Sequence, residues 1–98
     1  MNNHLFTVIA KYIPNTLAIK TRVEGECLIM MNQSGVIDVV NETAKSFFFL
    51  CDGKRTIGDI FDIMKKEYDV DEETLAADLL LLIRQMQKRG FIHIEELI

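Results

Sequence analysis

The hydrophobic pattern of this chain changes period once, at Asn41, and that change limits what it can fold into. Before it, Leu17, Ile19, Thr21 and Val23 alternate with Ala18, Lys20 and Arg22, the two-residue repeat of a half-buried strand. Glu24-Gly25 offers a tight turn, and Cys27–Met31 is a short apolar run that fits a pairing strand. Asn32-Gln33-Ser34-Gly35 is a second turn signal. Val36–Val40, β-branched except for Asp38, reads as a third strand. The first half therefore predicts a small antiparallel meander. Phe6–Tyr12, within the opening fourteen residues, fits a strand, a helical turn or an arm laid over the body.

After Asn41 the apolar residues recur at helical spacing. Asn41 is placed to cap a helix, because its side chain can accept from an otherwise unpaired backbone N–H. Ala44, Phe47, Phe48 and Cys51 follow on one face, and Asp52-Gly53 stops the run. Thr56 caps a second helix with Asp59 three residues on, a variant of the capping box, and Ile57, Ile60, Phe61, Met64 and Tyr68 form its buried stripe. Asp71 caps a third helix, which Gly90 ends after Lys88 and Arg89, bases that the helix dipole favours there. Phe91–Ile94 reads as a last short strand. The fold class expected is α+β, a three-stranded antiparallel sheet followed by three helices, in a single domain over residues 1–98.

Length and charge narrow the function. A chain of 98 residues buries one core and leaves little room for a deep active site. The net charge is −4, and the whole excess lies in residues 41–98, where twelve acids face eight bases. That balance disfavours a phosphate-gripping surface. Cys27 and Cys51 make no metal motif and read as reduced thiols, although one disulfide is arithmetically open. The N-terminus lacks the basic flank and long apolar run of a signal peptide, and Leu79–Ile83 is too short to span a bilayer, so a cytoplasmic protein with no membrane partner is expected.

Catalytic signals are missing. Ser34 and Ser46 have no nucleophile context. Glu72-Glu73 opens a helix, where acids suit the dipole better than they suit a catalytic pair. His4 and His93 are isolated, and Gly53 and Gly58 form no phosphate loop; Gly58 is expected inside the second helix, close to a neighbour. No enzyme activity, metal or cofactor is expected.

Two features point to binding. On the third helix Leu82, Leu75, Met86, Leu79, Ile83, Ala76 and Leu80 fill an arc roughly 160° wide, more than one small core usually needs, with Leu81 outside it. Either the helix is buried between two elements of its own fold, or one flank, Ala76-Leu80-Ile83, lines a groove. The outer strand of the meander, Val36–Val40, has no proline and one charge to guard its edge. An extended peptide can add there as a further strand, unless Met1–Tyr12 or a second copy of the chain covers the edge.

The stretch VVNETAKSFFFLCDGKRTIGDIFDIMKKEYDVDEETLAADLLLLIRQMQKRGFI resembles the PqqD family, the pyrroloquinoline quinone biosynthesis protein D-like domains. Asn41-Glu42-Thr43-Ala44 after a strand, the block from Leu50 through Asp52-Gly53-Lys54-Arg55 to Thr56, Tyr68 to Asp71 before a long helix, and Arg89-Gly90-Phe91 carry the likeness, which covers about residues 15–94. It implies a winged helix-turn-helix-like domain that acts as a recognition element for ribosomally made, modified peptides. Such a domain binds a precursor's leader segment as an extra strand between its third strand and third helix. It then presents the leader to a modifying enzyme, a radical SAM enzyme in the quinone pathway.

Carried onto this chain, the site falls on Val36, Ile37, Asp38, Val39 and Val40 and on one face of the Leu75–Met86 helix. The flank expected to contribute is Ala76, Leu80, Ile83, Arg84 and Gln87, with Arg84 available to pair with acidic leader residues. Two other functions share the fold: a winged-helix DNA-binding regulator, and a structural subunit that dimerises through the edge strand or through Leu81 and Phe49.

Overall fold

The computed structural model describes residues 4–95; residues 1–3 and 96–98, and the side chains of His4 and Glu95, lie outside the described part. The elements run α1 (His4–Ile9), β1 (Ile13–Thr16), β2 (Lys20–Glu24), β3 (Cys27–Met31), β4 (Ile37–Val40), α2 (Glu42–Leu50), α3 (Ile57–Glu67), α4 (Glu72–Lys88) and β5 (Ile92–Glu95). The α+β class and the meander-then-helices order match the expectation. Of the three options for the N-terminal segment, the helical one is found.

The meander is the antiparallel sheet β2-β3-β4. Glu24 pairs with Cys27, so the β2–β3 connection is the two-residue turn Gly25-Glu26, opened by Gly25 at φ 59. The first strand starts later than its alternation suggests. Leu17 donates its N–H to the Phe91 carbonyl instead, which draws that segment toward β5. β1 and β5 form a second, two-stranded antiparallel sheet, with Pro14 opposite Ile94 and Asn15 opposite His93.

All three helix caps form. Asn41 accepts from the Ala44 N–H and Asp71 from the Thr74 N–H, and Thr56 and Asp59 complete a reciprocal capping box. Between α2 and α3, the Asp52 carboxylate accepts from the N–H groups of Lys54 and Arg55, which turns the chain. The first amides of α3 donate to earlier carbonyls, Ile57 to Tyr12 at 2.9 Å and Gly58 to Ala10 at 2.8 Å. A Cβ on Gly58 would stand 3.1 Å from that Ala10 oxygen, so the close neighbour expected there is the backbone following α1.

One core joins these pieces. Leu28 and Met30 from β3, Phe47 from α2, Ile57, Ile60 and Met64 from α3, Leu79 from α4, and Phe91 and Ile92 are all but removed from solvent. The Phe6 ring of α1 packs tilted against Phe61 of α3 with centroids 4.9 Å apart, and α1 also packs on α4. Of the phenylalanine triplet, Phe47 and Phe48 are buried and Phe49 is exposed. Cys27 and Cys51 are both free thiols.

Candidate functional site

β4 is the outer strand of its sheet; among the described residues it pairs with β3 alone. The α1–β1 segment does not cover it, because α1 lies against α4 and β1 pairs with β5. In an antiparallel ladder, residues alternate between those bonded to the neighbour and those facing outward. The Asn32 N–H bonds the Val36 carbonyl at 2.9 Å, so Val36, Asp38 and Val40 face β3 with their backbone groups. Ile37 and Val39 therefore turn their N–H and C=O to the open edge. Among the described residues, the Val39 N–H meets its neighbour's side chain alone, donating to Asp38 Oδ1 at 2.9 Å.

Side chains alternate as well. Asp38 and Val40 point to the helix side of the sheet, where Leu28 and Met30 are buried, and Ile37 and Val39 point away, each 60% exposed. Between β4 and α4 runs a groove of about 470 Å³, walled by Asp38 and Val40 on one side and by Leu82, Gln85, Met86, Lys88 and Arg89 on the other. It continues past Leu82 and Gln85 into a second hollow of about 310 Å³, bounded by Asn41, Thr43 and Ala44 at the start of α2 and by Asp78 and Leu81 of α4. An apolar floor thus lies beside an edge with an outward N–H.

Two links hold the walls together. The Asn32 side chain, in the β3–β4 turn, donates from Nδ2 to the Arg89 carbonyl at 2.6 Å. Its Oδ1 accepts from the Ser34 and Val36 N–H groups, so one buried asparagine shapes the turn and ties it to the end of α4. Arg89 Nη1 lies 3.0 Å from Asp38 Oδ2, an ion pair across the mouth of the groove.

The residues expected to form the site divide. Ile37, Asp38, Val39 and Val40 lie on the edge strand, while Val36 belongs to the turn before it. The α4 flank expected beside them faces the other way. Leu80, Ile83, Arg84 and Gln87 line a separate hollow of about 340 Å³ with Leu5, Ile9, Tyr12 and Ile94, and Ala76 is buried in the core. The elements that claim this flank are α1 and β5, which come from the two ends of the chain. The groove instead takes the opposite end of the apolar arc, Leu82 and Met86. Arg89 was legible only as a base suited to a helix C-terminus; its place opposite Asp38 depends on tertiary structure.

Burial, and then the nearby Asp52 charge, push the Cys51 thiol up to about 12, the opposite of an activated nucleophile. Among the described residues no group of three metal-ligating side chains comes together. Glu72, Glu73 and Asp78 make the first half of α4 acidic. No helix among the described residues is long and apolar enough to cross a membrane.

Comparison with known proteins bears on this geometry. The PqqA binding protein of Bradyrhizobium diazoefficiens is 27% identical over 52 residues, 53% of this chain and 50% of the relative, so the chain spans about half of that protein's length. The solved structure of TbiB1 in complex with the TbiA(beta) leader peptide superposes with a TM-score of 0.69 at 18% identity, over 78% of this chain and 90% of that one, a likeness of fold. The family model described as Coenzyme PQQ synthesis protein D matches residues 26–92, well over half of the chain and all of the β4–α4 groove, and the protein belongs to this PqqD family.

Proposed function

We propose that the protein is a non-catalytic peptide-binding chaperone. It captures the leader segment of a ribosomally made precursor peptide as a strand added to β4, with the leader's side chains in the β4–α4 groove, and presents it to a modifying enzyme. The observation that carries this reading is the outward Val39 N–H on an otherwise open edge, directly beside a groove floored by Val40, Leu82 and Met86. A relative named for binding PqqA, and a fold neighbour solved with a leader peptide, support it. The enzyme that receives the leader is, by the family resemblance, of the radical SAM type.

Energetics favour a joint site over an edge alone. Each main-chain hydrogen bond contributes about 0.5–1.5 kcal/mol net. The two outward residues of β4 therefore supply only part of a useful affinity, and the groove must supply the rest through apolar burial. Val39→Pro isolates the edge contribution. It removes the outward donor and leaves the β3–β4 ladder, which does not use that N–H. In an NMR titration with the leader half of a short peptide encoded beside the gene, the unaltered protein should show shifts along Ile37–Val40 and the Leu82–Arg89 side of the groove. The folded Val39→Pro protein should bind at least tenfold more weakly, about 1.4 kcal/mol. Equal affinity in the two proteins would sink strand addition.

A further inference from the structure

A fourth strand needs the Val39 N–H, and in the free protein that donor is already taken. The Asp38 carboxylate accepts it through Oδ1 at 2.9 Å and holds Arg89 through Oδ2 at 3.0 Å. Asp38 stands on the helix side of the sheet, cross-strand from the fully buried Met30, in a row otherwise given to apolar packing. An inward-pointing charge is a known guard on an exposed edge, since any incoming strand must first deal with it. Here the guard is latched at both ends, on the edge donor and on the opposite wall of the groove.

We infer that Asp38 is a placeholder for an acidic residue of the peptide. The inference rests on the strand-addition reading and deepens it. When a peptide adds to β4, its carbonyl takes over the Val39 N–H, and its own carboxylate takes over Arg89 as Asp38 swings out to solvent. Arg89 suits the exchange. Its guanidinium is half-exposed at the end of α4, Lys88 beside it adds a second positive charge on the same wall, and its planar donors match a carboxylate.

Geometry also sets the spacing of the recognised segment. A strand continuing the antiparallel order meets Val40 before Asp38, and residues paired across a sheet share a face. The residue opposite Val40 drops onto Leu82 and Met86, and the residue two positions later faces Arg89. The peptide class is thus an extended segment with an apolar residue followed, two positions on, by Asp or Glu.

The probe is a library of random peptides displayed on phage, panned against the whole chain, with enriched sequences then made synthetically for affinity measurement. The unaltered protein should enrich the apolar-x-acidic spacing, and Arg89→Gln should lose the acidic preference. Asp38→Ala should bind an acidic synthetic peptide about two- to fivefold more tightly, because a partly exposed pair of this kind competes only weakly. That gain should vanish for the same peptide with Ala in place of its acid. Without any peptide, the Val39 amide should exchange faster in Asp38→Ala than in the unaltered protein.

Enrichment without an acidic preference, a preference that survives Arg89→Gln, or unchanged or weaker binding by Asp38→Ala overturns the placeholder. If Val39→Pro still abolishes binding of those peptides, strand addition stands without it. Failure to enrich any peptide, or binding indifferent to Val39→Pro, overturns both.

Discussion

Asn32 ties the β3–β4 turn to the end of α4, and so joins the two walls of the groove. Its Oδ1 gathers the N–H groups of Ser34 and Val36, and its Nδ2 holds the Arg89 carbonyl. The approach is tight enough to constrain the residue after Arg89. A Cβ on Gly90 would meet Asn32 Nδ2 at 3.2 Å, and Gly90 sits at φ 79, so the position favours glycine twice over. Asn32→Ala leaves part-buried backbone groups without their side-chain partner and should cost about 1–2 kcal/mol of stability, read as a lower urea midpoint. Asn32→Asp keeps both acceptor bonds and sets a carboxylate oxygen against the Arg89 carbonyl. It should destabilise despite its identical shape, and should free the end of α4 in amide exchange. Asn32 is visible in the sequence as a turn former, because turn chemistry is local. Its partner fifty-seven residues away has no local signature.

At the scale of elements, the helix starts were the most legible features, because each cap acts on a residue three positions on: Asn41 with Ala44, Thr56 with Asp59, Asp71 with Thr74. Strand ends were less so. Leu17 and Ile19 continue the alternation of β2, yet the chain there is held by Phe91 and Met31 through single backbone bonds outside the ladder. The Asp71 cap and the Asp52 turn carry a pH dependence. The Thr74 N–H and hydroxyl hold the Asp71 carboxyl below its ordinary 3.8, and the Arg55 and Lys54 N–H groups do the same for Asp52. A depressed carboxyl stabilises the fold above its unfolded-state value and loses that contribution as pH falls through its folded value. Thermal stability should therefore be flat with respect to these groups near neutrality and decline from about pH 4 downward. Asp71→Asn keeps a capping oxygen and removes the titration. Its melting curves should decline less steeply below pH 4 than those of the unaltered protein, and an identical decline would count against the assignment.

At the scale of the whole molecule, α4 has the β4 groove along one side and the hollow under α1 and β5 along another, and only the complete fold decides which one adjoins the open edge. The sequence showed that the apolar arc was too wide for one contact. It could not show that α1 and β5, from opposite ends of the chain, would close on the Leu80–Ile83 side. That leaves the Leu82–Met86 side to face β4. Two leucines of equal chemistry and similar half-burial, two positions apart, thus have different assignments, and the pair makes a controlled comparison. Leu82→Ala removes apolar surface from the proposed peptide floor and should weaken leader binding by about 1–2 kcal/mol, roughly five- to thirtyfold. Leu80→Ala opens the hollow beneath α1 and should lower stability by a similar amount while leaving affinity within about twofold. Calorimetric titration of both variants, with melting temperatures to confirm folding, separates the two roles. A larger affinity loss for Leu80→Ala than for Leu82→Ala would move the site to the α1 side of α4 and detach it from the β4 edge.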